Sequence, residues 1–108
     1  MLPQHLRLRK SADFVSVIKR GRKVSRPTLI LYARTSDQPR LGVVVGKGVG
    51  GAVQRNQVKR YLRHQGFGLM GKYQPMDIVV RALPGSLQGR LCEDLVSAWD
   101  QADKQVSS

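Results

Sequence analysis

The side chains in this chain with the clearest capacity for chemistry are cations, and they recur at helical spacing. From Val49 to Arg63 a glycine-rich turn, Gly50-Gly51, runs directly into a basic segment. Read as an α-helix, the segment places Arg55, Lys59 and Arg63 at i, i+4 and i+8, with Asn56 and Arg60 one column over. At 1.5 Å rise per residue the row is about 12 Å long. Val58, Leu62 and Tyr61 fall opposite and are expected to face a core. Such a face binds a polyanion. Other chemistry is poorly supplied: His5 and His64 stand apart from any cysteine or carboxylate cluster, so no metal-site spacing occurs and no protein-held metal is expected. The single cysteine, Cys92, excludes an internal disulfide, fits a reducing cytoplasm and reads as a small buried apolar residue.

Charge supports the same reading. The 108 residues carry 19 Lys and Arg against 7 Asp and Glu, a formal net charge of +12, which is best tolerated when the partner is an acidic polymer. Residues 1–63 hold 15 basic and 2 acidic side chains, whereas residues 64–108 hold 4 and 5. The basic surface therefore comes from the first half, and nucleic acid is its leading partner. No apolar run approaches 18 residues and the first ten residues lack a signal-peptide core, so a cytoplasmic chain with no membrane partner is expected.

These residues need a scaffold, and the length suits one RNA-binding domain spanning 1–108. Residues 1–10 read as a basic, extended arm. Ser11 as N-cap, Asp13 in the first turn and Gly21 as stop define a first helix carrying Phe14, Val17 and Ile18 on one face. Phe14 suits either a core or a stacking surface for a base. Strands follow at about 23–25, 28–34 and 41–46. In the second, Thr28, Ile30, Tyr32 and Arg34 share one face, suited to ligand, and Leu29, Leu31 and Ala33 the other. Leu41 to Val45 has no alternation and reads as a strand covered on both faces. Gly66, Gly68 and Gly71 mark a loose connection after the basic helix. A fourth strand spans 77–82, and a last helix from about Leu87 to Gln101 carries Leu91, Leu95, Ala98 and Trp99 on one stripe, with 103–108 frayed.

Gly46-Lys47-Gly48-Val49-Gly50-Gly51 matches a dinucleotide-binding G-x-G-x-x-G, follows a strand and opens a helix. The ribose-binding carboxylate due about 20 residues later is missing, because no acid occurs before Asp77. The glycines fit better a tight turn whose backbone N–H groups could meet a phosphate.

Taken in order, the chain resembles the protein subunit of bacterial ribonuclease P. The resemblance runs through Arg7 to Lys10 with Asp13-Phe14, Leu31-Tyr32, Pro39 to Val45, the long signature from Lys47 to Arg63, and Asp77 to Val80. It implies an α/β (α+β) two-layer sandwich of order αβββαβα, like the second domain of ribosomal protein S5, with a left-handed βαβ crossover through the basic helix. It also implies a protein that assists an RNA active site in removing the 5′ leader of precursor tRNA, with no catalytic residue of its own. Lys47, Arg55, Asn56, Lys59, Arg60 and Arg63 would meet the catalytic RNA. Phe14, Ile18, Tyr32 and Arg34 would line a cleft for the leader. Mg²⁺ would be held mainly by RNA phosphates. The implied partners are the catalytic RNA and precursor tRNA, with no protein partner. Departures from the family pattern are Gln57 for an arginine, Ile18 for an aromatic, Gly48 for a lysine, and Leu83 where an arginine is usual, with Arg81 two residues earlier. The alternative is a non-catalytic structured-RNA-binding protein of ribosomal type.

Overall fold

Period-two alternation assigns each strand one heavily apolar face, and three helices cover the resulting sheet unequally. A computed structural model describes residues 2–86 and 89–107. Its elements are α1 (Ser11–Arg20), β1 (Arg22–Ser25), β2 (Leu29–Thr35), β3 (Arg40–Val45), α2 (Ala52–Met70), β4 (Met76–Ala82) and α3 (Leu91–Ser107), with 3₁₀ turns at Gln4–Leu6 and Lys47–Val49. The order αβββαβα is the expected one. The strands lie in the order β1-β2-β4-β3; β2 pairs antiparallel with β1 and β4, and β3 runs parallel to β4.

One face of the sheet contributes Leu29, Leu31, Ala33, Leu41, Val43, Val45, Ile78 and Val80 to the main core, which α2 and α3 close with Val58, Leu62, Leu69, Leu95, Ala98 and Trp99. On the opposite face α1 covers a smaller cluster of Leu8, Val17, Tyr32 and Val79, against which Phe14 and Ile30 pack. The backbone also sets the hand of the β3-α2-β4 crossover. Leu41 turns its side chain into the main core and its carbonyl outward to the Leu8 N–H, away from β4. For an L-residue that combination puts β4 to the left of β3 when seen from the helices. The crossover is therefore left-handed, against a preference of about 98% for the right-handed form.

Several elements differ from the sequence reading, each through a tertiary contact. The arm is not extended and free: Leu2 and Leu8 are buried, residues 4–6 make a 3₁₀ turn, and Arg7 bridges to Leu41 at the edge of β3. Ser11 is the first helical residue, after Lys10 as N-cap, and makes no cap hydrogen bond. Helix α2 continues through Gly66 and Gly68. A Cβ at Gly66 would stand 2.5 Å from Leu41 Cδ2 and 3.4 Å from the Trp99 ring, so this glycine lets helix and sheet approach closely. Helix α3 starts at Leu91; the expected start at Leu87 lies outside the described residues. Its end does not fray at 103, because Ala102 is buried, Val106 packs on the core and Asp103 accepts a hydrogen bond from the Gln74 N–H at 3.2 Å. Strand β3 is covered on both faces only at Gly42, and Val44 is exposed.

The two layers are joined by charge. Asp77, 2% exposed, receives two hydrogen bonds from Arg40, each 2.9 Å, and Arg34 stands 3.9 Å away. Arg40 also reaches Asp13 of α1 at 3.7 Å. The hydrogen bond to Asp77 outweighs partial burial and raises the Arg40 pKa above its usual value. Removing Arg40 takes both hydrogen bonds from a buried carboxylate and leaves it only Arg34 at 3.9 Å, so Arg40→Ala should cost about 3 kcal/mol and Asp77→Asn, which leaves only a partly exposed cation, clearly less. Denaturant unfolding of both variants measures the difference, and equal losses would contradict it.

Candidate nucleic-acid interface

Helix geometry and burial together sort the residues of α2. At 100° per residue Val58, Leu62, Gly66 and Leu69 share the core side, and all four are buried. Arg55, Lys59 and Arg63 run along one flank, half-buried, and Asn56 and Arg60 stand farther out, exposed. None of these cations, nor exposed Lys47, makes an ion pair among the described residues. Four of the seven carboxylates, Glu93, Asp94, Asp100 and Asp103, sit instead on α3. Tyr61 does not face the core as expected: it is 39% exposed on the other flank. Gln57 lies on that flank too, lining a groove with Tyr61, Ser86, Gly89 and Leu91. An arginine there would therefore not extend the cation row.

The turn before α2 narrows a second expectation. Gly50 has φ +157°, which disfavours any side chain. Yet its N–H is bonded to the Lys47 carbonyl, that of Val49 to Gly46, and that of Gly51 to Gln54 Oε1 at 2.9 Å. The N–H groups of Ala52, Val53 and Gln54 in the first turn of α2 have no intrahelical acceptor, but the Val49, Gly50 and Gly51 donors of the turn are taken. A dinucleotide loop would need them free.

On the α1 face the register sets out three rows. Arg34, Asp77 and Arg40 form one, Tyr32, Val79 and Gly42 the next, and Ile30, Arg81 and Val44 the third, with Lys23 and Ser25 of β1 continuing the last two. Helix α1 covers the first two rows, with Phe14 so close over Gly42 that a Cβ there would stand 2.4 Å from its ring. Phe14 and Tyr32 thus meet in one cluster, and Ile18, 40% exposed, follows one turn after Phe14 on the same flank. Arg34 does not join them. Its Nη1 donates to Ser16 Oγ at 2.7 Å, on the opposite flank of α1. Left uncovered is the third row, where Arg81 and Val44 are exposed beside half-buried Ile30. Sequence reasoning had placed Ile30 on a ligand-suited face but missed Val44 and Arg81 as site residues. Only strand pairing, not local pattern, brings them together.

Among the described residues no group of three or more His, Cys, Asp or Glu side chains is placed to hold a metal ion, and no helix is long and apolar enough to cross a membrane. Because Phe14 sits on Gly42, Gly42→Ala should cost about 1–3 kcal/mol through overpacking. In a Phe14→Ala background the same change should cost distinctly less, the remaining close contact being Leu8 Cβ at 3.2 Å. A chemical-denaturation cycle over the four proteins tests this, and an unchanged cost without the ring would remove the argument.

Known proteins share this sequence pattern and fold. The family model described as Ribonuclease P matches residues 2–103. The ribonuclease P protein component of Mycolicibacterium paratuberculosis is 41% identical over 106 residues, covering 88% of this chain and 89% of that one. That of Acidothermus cellulolyticus is 43% identical over 106 residues, covering 94% and 88%. A mutant RNase P protein of Staphylococcus aureus with defective mRNA degradation activity superposes with TM-score 0.79 at 26% identity, over 96% of this chain and 90% of that one. The RNase P protein from Thermotoga maritima in complex with 1-(4-fluorophenyl)-2-thiourea gives 0.66 at 27% identity, over 93% and 94%. With a family match across nearly its whole length, relatives above 40% identity and the same order of elements, the chain belongs to the ribonuclease P protein family.

Proposed function

We propose that this protein is the RNA-binding subunit of ribonuclease P, that it binds the catalytic RNA through α2 and the 5′ leader of precursor tRNA through the α1 face, and that the active site lies in the RNA. The observation that carries the reading is the unpaired cation row on α2, held rigidly on the core by Val58, Leu62 and Leu69 in a chain that belongs to this family. Side chains fixed in this way meet backbone phosphates without losing much further freedom. Lys47, Arg55, Asn56, Lys59, Arg60 and Arg63 form the catalytic-RNA contact. Phe14, with Ile18 at its edge, borders the uncovered row of Ile30, Arg81 and Val44, where unstacked leader bases find an apolar floor and one free guanidinium. Tyr32 supports that floor from beneath α1, and Arg34 serves as a brace between α1 and the sheet rather than as a leader contact.

The protein's part in the reaction is positional. It lowers the cost of bringing two polyanions together by supplying cations on two faces, and it supplies no general acid or base. Mg²⁺ is assigned to RNA phosphates, since four carboxylates are spread along α3, Asp77 and Asp13 are engaged by Arg40, and Asp37 stands apart between β2 and β3. A ribosomal-type RNA-binding protein would account for the charge but not for the family match.

Addition of the full chain to catalytic RNA and precursor tRNA at low Mg²⁺ should raise cleavage above that of RNA alone, and the protein alone should cleave nothing. Failure to enhance cleavage would overturn the reading. With about six cations on phosphates, log K against log salt should fall with a slope of about −4 to −5. Arg81→Gln should weaken binding of precursor with a leader and leave binding of mature tRNA unchanged; equal effects on both would remove Arg81 from the leader contact.

A further inference from the structure

Between the N-terminal arm and α2 lies a cleft of 290 Å³ lined by Leu2, Arg7, Arg60, Arg63 and His64. It is a built feature. Leu2 is 1% exposed in the main core, Leu8 is buried beneath α1, and the Leu8 N–H bonds the Leu41 carbonyl at 3.0 Å. Arg7 Nε donates to the Leu2 carbonyl at 3.0 Å, which orients the guanidinium and leaves its Nη groups without a partner among the described residues. Across the cleft Arg63 is half-buried, and burial first, then repulsion from Arg7, lowers its pKa from the usual value. No carboxylate answers these charges: every ion pair among the described residues lies elsewhere. Three guanidiniums around one partly dehydrated space repel one another unless an anion sits between them. Their planar forks of N–H donors match the oxygens of a phosphate.

Resting on the reading that the catalytic RNA is the partner, we infer that this cleft is a phosphate-binding site in which Arg7 of the arm and Arg60 and Arg63 of α2 close on one backbone phosphate of that RNA, with His64 as a further N–H donor. The arm is thereby part of the RNA contact and not a tether beside it. Inorganic phosphate presents the same oxygens, so the test separates the two sources.

Affinity of the full chain for the catalytic RNA is measured across a salt series for the unmodified protein, Arg7→Gln, Arg7→Lys, Arg63→Gln, the Arg7→Gln/Arg63→Gln double variant, Leu8→Ala and Arg90→Gln. Arg90 is an exposed residue paired with Glu93 on the surface, and serves as a charge control. Arg7→Gln should weaken binding about tenfold and make the salt slope shallower by about 1. The double variant should lose far less than the product of the two single losses, because both act on one phosphate. Leu8→Ala loosens the arm but keeps its charge, so it should leave the slope unchanged. Arg7→Lys should restore the slope and only part of the affinity. An Arg7→Gln slope equal to that of Arg90→Gln, multiplicative losses with Arg63→Gln, or a slope change in Leu8→Ala equal to that of Arg7→Gln would each overturn the inference. So would binding of inorganic phosphate at Arg7 and Arg63, followed by side-chain resonances, when RNA affinity is indifferent to Arg7. If the unmodified protein fails to prefer the catalytic RNA over an unrelated structured RNA, the functional reading fails by itself, whatever Arg7 does.

Discussion

The clasp between Arg40 and buried Asp77 is the interaction on which the two faces of this molecule depend. It joins the parallel pair β3 and β4 at the start of both strands, and the same arginine reaches α1 through Asp13. A buried carboxylate is costly unless fully answered, so the pair acts mainly as a specification: only one placement of α1 and one register satisfy it. From that register follow the row of Ile30, Arg81 and Val44 and the seat of Phe14 on Gly42. The α1 face is thus set by a polar lock, whereas the α2 face is set by apolar packing.

Uneven distribution of counter-charges explains why the fold can carry +12. Carboxylates are spent on internal tasks: Asp77 on Arg40, Asp94 on the N–H and hydroxyl of Thr28, Asp103 on the Gln74 N–H. Arg26 is likewise engaged, with Ser97 and Gln101. What remains without an ion pair among the described residues clusters on α2, on the arm and at the α1–β1 junction (Lys19, Arg20, Arg22 and Lys23), where self-repulsion raises the free energy of the isolated protein and is relieved in a complex with a polyanion.

Much of this was legible in the sequence because it rests on local periodicity. The α2 row, the two faces of β2 and the apolar stripe of α3 each repeat within one element, and the long signature from Lys47 to Arg63 carried the family. What was not legible depends on residues far apart in the chain. Gly66 reads as a breaker until Leu41 and Trp99 are seen to fill the space its side chain would take. Leu2 and Leu8 show no period in a short segment holding Pro3, so burial of the arm could not be read. Arg34 shares a strand face with Tyr32, yet Ser16 draws it to the far flank of α1. The Gly51 N–H looked available because Gln54, three residues on, gives no sign in sequence that its amide reaches back.

The pairing of the arm with Leu41 has a consequence for the protein before it meets any RNA. Strand β3 ends the sheet, and its Leu41-Gly42-Val43-Val44-Val45 run is a short, uncharged, strongly β-forming stretch of the kind that recruits another chain to an open edge. The arm occupies the start of that edge with its own backbone and brings Arg7 and Arg9 alongside. It serves as a gatekeeper, taking up backbone groups of an edge that another chain would otherwise find open.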